Sequence, residues 1–425
     1  MRRCTNAALS EWIIGPFITM RFVSPFLLSI LNPFSTDSTP MSSTASGDSF
    51  STSSRFLSLD VFRGMTVAGM ILVNTPGSWN YVFAPLRHAP WNGCTPTDLV
   101  FPFFLFAVGN ALSFSISKYQ ALSPSAAVRK ILIRSTLIFL IGLLLNWFPF
   151  IRWQEGAFVP KVFENLRIYG VLQRIALAYL GGALIVHFWK PAKAFVISIV
   201  LLVSYHIIII AFGDLTLEGN AVRKLDRWML ADAHLYKGYF STVLNENIAF
   251  DPEGLLGALP AMVSVVFGFL AGAYIRKHGK SYQMIAHLTV AAMLLTFIGL
   301  CWDLALPINK PIWSSSYVLY TSGLALTILS IILFFTEMKG YHTWTSPFVL
   351  FGKNPLFIFV MSGVLVKIYG LIHIGESGLY GALYSAVFQP IAGDYLGSLL
   401  FAIAHVLLFL MVARFLDQRK IYVRV

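Results

Sequence analysis

The stretch F-V-I-S-I-V-L-L-V-S-Y-H-I-I-I-I-A-F, residues 195–212, carries no charged side chain. A helix of that length rises about 27 Å, close to the roughly 30 Å of a bilayer's hydrocarbon core. Comparable apolar runs fall near 61–76, 99–117, 131–150, 168–188, 255–275, 284–306, 312–335, 348–369 and 395–415. A shorter apolar piece at 378–391 reads as an interfacial or re-entrant helix. The fold expected is all-α, a polytopic transmembrane helical bundle of about ten spans, or eleven if residues 12–31 form one more. Composition agrees: the 425 residues are 57% hydrophobic and 12% charged, where a soluble domain carries about 25% charged residues. That excludes a soluble enzyme held by a single anchor. The 15% aromatic content suits a protein whose rings collect at the lipid headgroups.

Lys and Arg outnumber Asp and Glu, 31 to 19, for a net charge of +12. In a soluble domain that excess would suggest nucleic acid. Here the cations sit in short clusters between apolar runs, as the positive-inside rule requires, and no nucleic-acid partner is expected. Lys118, Arg129, Lys130 and Arg134 follow the second run, Lys190 and Lys193 the fourth, Arg276, Lys277 and Lys280 the sixth, and Arg414, Arg419, Lys420 and Arg424 the last. With ten spans all of these face the cytoplasm. The connection 213–254, with seven acidic residues against four basic ones, reads as an exported loop, and 77–98 faces the same outer side. Cys4, Cys94 and Cys301 form no C-x-x-C pair and no metal-ligand spacing, so neither disulfides nor a metal are expected.

Two regions follow: 1–54, and a membrane domain over 55–425. Pro16, Arg21 and Pro25 interrupt the apolar stretch 12–31. From Asn32 to Ser54, 13 of 23 residues are Ser or Thr, a composition that cannot bury a core and predicts flexibility. Residues 1–54 therefore read as a flexible extension, or as one that translation from Met41 would largely remove.

Polar residues inside or at the ends of spans are costly there and mark function. They are densest from Arg55 to Asn110, where Asp60, Arg63, Asn74, Arg87, His88, Asn92 and Asp98 surround the first two spans. Asp60 and Arg63, three apart, can pair on one helix face. Asn74 either caps its helix, bonds a neighbour or contacts substrate. His88 stands beside Trp91-Asn92-Gly93, ten residues before Asp98. An imidazole titrates near neutral pH, so it can serve as base or nucleophile while a carboxylate sets its tautomer, although a loop histidine is also often merely solvated. Arg174, inside G-V-L-Q-R-I, suggests an anionic ligand or a buried carboxylate. Glu253, in D-P-E-G at the start of the sixth span, suits the positive end of a helix dipole. Lys310 and Trp313, in P-I-N-K-P-I-W-S-S-S-Y, suit a sugar or an aromatic belt. No P-loop, GxGxxG after a strand or HExxH is present, so nothing supports ATP-driven transport or dinucleotide chemistry.

These islands, S-L-D-V-F-R-G, H-A-P-W-N-G-C-T-P-T-D-L-V-F-P-F-F, G-V-L-Q-R-I, D-P-E-G-L-L-G and P-I-N-K-P-I-W-S-S-S-Y, resemble the successive motifs of the heparan-alpha-glucosaminide N-acetyltransferase family. They occur in the same order from about Ser58 to beyond Asn354. The resemblance implies transfer of an acetyl group from cytoplasmic acetyl-CoA, a co-substrate, to the amine of a glucosamine unit on the far side of the membrane. The family's functional histidine falls on His88, and Asp98 and Asn74 match further motif positions. His88 would then take the amine's proton, or first carry the acetyl group, with Asp98 orienting its ring and Asn74 facing the developing oxyanion. Trp91, Asn92, Arg174, Glu253, Lys310 and Trp313 are the candidate sugar contacts, and Arg63, Arg134 and Lys353 the candidate cations for the CoA phosphates. Pro90 departs from the Ser of the animal enzyme, and no long luminal domain precedes the spans. Both features shift the expected acceptor from polymeric heparan to free glucosamine or a cell-wall amino sugar, in a bacterial inner membrane, with a homodimer as one arrangement. The rival expectation is a secondary transporter for N-acetylglucosamine, disfavoured by the lack of an internal repeat between the two halves; a scaffold role would leave the ordered motifs unexplained.

Overall fold

The computed structural model describes residues 56–154, 157–374 and 377–423. The 1–54 extension, with its apolar run and Met41, lies outside the described residues. The remainder is helical: α1 Leu57–Asn74, α2 Pro96–Gln120, α3 Pro124–Trp147, α4 Val171–Phe188, α5 Pro191–Phe212, α6 Ala221–Leu230, α7 Ala258–His278, α8 Tyr282–Asp303, α9 Ser315–Leu333, α10 Ser346–Lys353, α11 Pro355–Tyr369, α12 Leu379–Leu383 and α13 Gln389–Gln418. Among the described residues, strands are confined to three two-stranded antiparallel hairpins.

Among the described residues eight helices are long and apolar enough to cross a membrane, or nine if one bent pair is a single span. That is fewer than the ten expected, and two runs account for the difference. The run 131–150 lies in α3, which is 24 residues long but stands outside the eight, with Arg129, Lys130 and Arg134 in its first half. The run 348–369 is not one rod: α10 and α11 meet at Asn354-Pro355 with a bend of 87°. A proline and the residue before it both resist continuous helix, which explains the break. The piece at 378–391 continues through a π-helical turn into α13, with Gly393 at a positive φ of 73° in the kink.

The peripheral helices show their lipid-facing side plainly. On α5, Ala194, Ser198, Leu202, Tyr205 and Ile209 are fully buried, while Val196, Val200, Val203, Ile207 and Ile210 are exposed. One narrow stripe meets protein and the rest is apolar surface, the pattern of a helix at the rim of a bundle in lipid. At the centre, α2 and α7 approach through two small residues. A Cβ on Gly109 would lie 1.9 Å from the carbonyl oxygen of Val265, and one on Gly268 would lie 2.0 Å from that of Phe106. Glycine is therefore required on both sides of this crossing, which joins α2, the helix that carries Asp98, to α7, the helix that follows the turn holding Glu253.

The segment 213–254 is more than a loose exported loop. Asn220 caps α6 by accepting the Arg223 N–H at 2.8 Å, Tyr239–Ser241 pairs with Glu246–Ile248, and Val222 and Phe250 are fully buried against Tyr205, Ile209, Leu306 and Ile312. It forms a packed cap over one end of the bundle.

The crossing can be tested by thermal unfolding in detergent. Gly109→Ala is expected to cost about 1–3 kcal/mol, the range for overpacking a tight interior. Gly381→Ala, where a Cβ meets nothing within 4 Å, is expected to leave the midpoint unchanged.

Candidate functional site

Thr95-Pro-Thr-Asp98 begins α2 with proline at its first position, a helix-start pattern in which the acidic residue reaches back to the cap. Asp98 does so: its Oδ2 accepts the backbone N–H groups of Thr95 and Ala89, each at 3.0 Å. Its Oδ1 is left for His88 Nδ1 at 2.6 Å and Lys310 Nζ at 3.2 Å. The Asp98 side chain is 1% exposed, that of His88 45%. Every partner of Asp98 is a donor, as an ionised carboxylate requires. Lys310 also lies 3.0 Å from His88 Nδ1, but one ring nitrogen cannot donate to Asp98 and accept from Lys310 together. The buried carboxylate takes precedence, because leaving it without donors costs most. Nδ1 then carries the hydrogen, and Nε2, without a partner among the described residues, presents a lone pair outward.

Lys310 is placed by a loop zipped to the His88 loop. Gly93 N–H donates to Ile308 O at 2.7 Å, and Asn309 Nδ2 donates to Asn92 Oδ1 at 3.0 Å. Burial pushes the Lys310 ammonium below its usual range, against the opposing pull of Asp98 and Glu253. Burial, helped by Asp98, pushes the neighbouring Cys94 thiol up to about 12, so at neutral pH it is no thiolate nucleophile.

Around this triad the expected contacts have varied settings. Trp91 packs edge-on against Phe250 at 5.5 Å and donates from Nε1 to Leu215 O at 2.8 Å, which ties the cap to the His88 loop. The Asp251-Pro252-Glu253-Gly254 turn is gripped by two arginines. Arg167 forms a forked pair with Asp251, at 2.7 and 2.8 Å, and also bonds Glu253; Arg174 Nη2 donates to the carbonyls of Pro252 and Gly254. Trp313 lies 5.1 Å beneath the Arg174 guanidinium and 5.0 Å from the Phe101 ring. Asn74 is exposed at the end of α1, and its side chain has no hydrogen-bond partner among the described residues.

The three cations chosen for CoA come together elsewhere. Arg63, Arg134 and Lys353 line one cavity of about 660 Å3, with Phe104, Ser115, Ile175 and Tyr179. This size lies within the usual range for ligand sites. The α2 wall of the cavity runs from Ser115 to Phe104, about 16 Å of helix, and Phe104 stands about 9 Å along the axis from Asp98. Arg63 pairs with Asp60 at 2.7 Å and Lys353 pairs with Asp417. The Arg134 guanidinium lies over the Tyr179 ring at 4.8 Å, and its Nε has no hydrogen-bond partner among the described residues. Arg167, Asn309 and Tyr317, whose hydroxyl donates to Asp98 O at 2.6 Å, escaped the sequence reading. Asn309 and Tyr317 stand in the P-I-N-K-P-I-W-S-S-S-Y island, but nothing local marks the roles of these three residues, because their partners are remote in sequence; the Thr95 cap did have a local signal in T-P-T-D.

Residues 55–300 match the family model described as heparan-alpha-glucosaminide N-acetyltransferase, catalytic. The mouse protein named heparan-alpha-glucosaminide N-acetyltransferase is 30% identical over 367 residues, covering 74% of this chain and 54% of its own length. Its human counterpart is 28% identical, covering 72% and 52%. The chain thus spans about half the length of these relatives. A 69-residue similarity to a putative Na(+)/H(+) antiporter NhaA homolog of Rickettsia conorii covers 16% of this chain, too little to support the transporter alternative.

The cap offers a pH test. Asp226 Oδ1 accepts the Leu255 N–H at 3.0 Å. Burial, helped by Asp251, pushes its carboxyl up to about 7 against the pull of that N–H and of Arg174. A carboxyl raised in the folded state stabilises most below its unfolded value, near 4, and loses that contribution as pH rises through 7. The unfolding midpoint of the wild type is expected to fall relative to Asp226→Asn between pH 4 and 7, then run parallel to it; a constant difference across that window would remove this role for Asp226.

Proposed function

The chain belongs to the heparan-alpha-glucosaminide N-acetyltransferase family, and from that premise we propose that it carries an acetyl group from acetyl-CoA, bound at the basic end of the bundle, to the amine of glucosamine or a related amino sugar at the capped end. The observation that carries this proposal is the division of labour along α2. One end holds a histidine with a carboxylate-set tautomer and a free Nε2; the other borders a cavity ringed by three cations. The basic end is assigned to the cytoplasm, in keeping with the positive-inside rule.

A glucosamine ammonium must lose a proton before its nitrogen can attack a thioester. His88 Nε2 takes that proton, and Asp98 stabilises the imidazolium that results. Lys310 keeps the Asp98 carboxylate paired and bounds the ring on its other side. Glu253, held by Arg167 and 13% exposed, supplies negative charge that favours a cationic acceptor. In the cavity Arg134, over Tyr179, is the cation best placed for a phosphate, because its Nε lacks a partner, whereas Lys353 would first exchange Asp417 for the ligand. The chemistry assigned to acetyl-CoA is that of an activated acyl donor.

Purified protein in detergent, given acetyl-CoA and glucosamine, is expected to release CoA and form N-acetylglucosamine. His88→Ala should abolish this reaction. Asp98→Asn is expected to lower kcat about 10²–10⁴-fold, the span of general acid–base effects. Arg134→Gln is expected to raise KM for acetyl-CoA about tenfold, one charge-assisted bond's worth, with KM for glucosamine unchanged. Uptake of labelled N-acetylglucosamine into proteoliposomes, with no CoA release under any condition, would overturn the proposal. Trapping an acetyl group on His88 would instead assign it the role of carrier.

A further inference from the structure

Between the capped site and the cavity lies a set of polar hydrogens that nothing described in the fold satisfies. Arg174 is fully buried. Its Nη2 is spent on the Pro252 and Gly254 carbonyls, but Nε and Nη1 have no hydrogen-bond partner among the described residues. Trp313, 1% exposed and facing that guanidinium at 5.1 Å, carries an Nε1–H that is equally without a partner. Buried N–H groups are nearly always paired, so donors left open on two adjacent side chains call for an explanation. The Trp313 backbone adds a second anomaly, with φ at +55°, a region costly for a bulky residue. Hydrogen bonds from Trp313 N to Lys310 O and from Ser314 N to Asn309 O hold it there.

The location of these donors is specific. Trp313 follows Lys310 by three residues and touches Phe101, nearly one turn beyond Asp98. On the other side, Ile175, next to Arg174, and Phe104, nearly one turn past Phe101, both line the 660 Å3 cavity. The unpartnered N–H groups thus belong to residues set between the cavity wall and the Asp98 end of α2.

Building on the function proposed above, we propose that Arg174 and Trp313 form the oxyanion site of the transfer, with one unpartnered N–H of Arg174, on Nε or on Nη1, and the Nε1 hydrogen of Trp313 directed at the acetyl carbonyl oxygen. As the amine lone pair forms the new N–C bond, the carbonyl π pair moves onto oxygen, where these donors hold it. The pair then re-forms C=O, and the C–S pair leaves with sulfur. His88 Nε2 first passes the ammonium proton to water at its exposed edge; the proton that nitrogen sheds on bond formation then passes to Nε2 and from there to the thiolate. Fixed donors in a water-poor interior act most strongly on charge that appears only in the transition state, and in the resting fold they remain unsatisfied. This assigns Arg174 and Trp313 a catalytic role in place of the sugar contact expected from their motifs.

Trp313→Phe keeps a ring but removes the N–H. It is expected to lower kcat about 10²-fold, with both KM values within about twofold of wild type and the unfolding midpoint retained. Arg174→Lys should lower kcat at least as far. A second readout needs no turnover: in the His88→Ala background, the infrared carbonyl stretch of bound ¹³C-acetyl-CoA is expected below that of the free thioester, and adding Trp313→Phe should move it back toward the free value. Unchanged kcat in Trp313→Phe, a rise confined to the glucosamine KM, or a carbonyl stretch indifferent to the substitution would each overturn the oxyanion site. An inactive wild type would instead overturn the function on which it rests.

Discussion

A carboxylate buried at the mouth of a membrane helix is the constraint around which this molecule is arranged. Asp98 is 1% exposed, and an ionised group there is tolerable only if hydrogen bonds and opposite charge replace the water it has lost. Two backbone N–H groups, one histidine and one lysine supply them. Each donor recruits a further piece of structure. Thr95 and Ala89 fold the preceding loop back onto the helix start. His88 is held with its second nitrogen outward. Lys310 requires the 308–314 loop, which is in turn fixed to Asn92 and Gly93. Much of the proposed acceptor site is thus the solvation shell of one carboxylate, built in protein.

The second constraint is that the two halves of the proposed chemistry stand at different depths. Placing them along one helix requires a closely supported α2, all the more because Pro102 interrupts its hydrogen bonding, and the reciprocal glycine contacts with α7 provide that support. The same crossing brings the α7 entrance, with Asp251 and Glu253, to the level of Asp98. Cations concentrate at the far end, where Arg63, Arg134 and Lys353 border one cavity. In the function proposed above, the net charge of +12 serves both orientation and ligand, since cations assigned to the cytoplasmic side also line the cavity proposed for the acyl donor.

Legibility in the sequence followed the range of the interaction. The helical membrane class was plain, because twenty apolar residues in a row admit few alternatives to a span. The capping pattern at Thr95-Asp98 was equally local. The break at Asn354-Pro355 was signalled by its proline, yet the run 348–369 still reads as one span when hydropathy alone is weighed. Arg63, Arg134 and Lys353 were expected as cations at the cytoplasmic end of the bundle, and the three line one cavity. Their individual states, two ion-paired with carboxylates and one lying over Tyr179, depend on residues far away in the chain.

By itself, then, the sequence determined that the chain is a multi-pass helical membrane protein, which family it belongs to, and which few polar residues could not be explained by topology. These conclusions rest on hydropathy, spacing and motif order, all properties of neighbours along the chain. Only the tertiary structure decided which of those residues meet. It put Lys310 against His88 across 222 positions, turned the 213–254 segment into a packed cap, and left Arg174 and Trp313 with hydrogens that nothing described satisfies. The reason is physical: pairing and burial of polar groups are settled by whatever the packing brings within about 3 Å, and sequence separation places no limit on that.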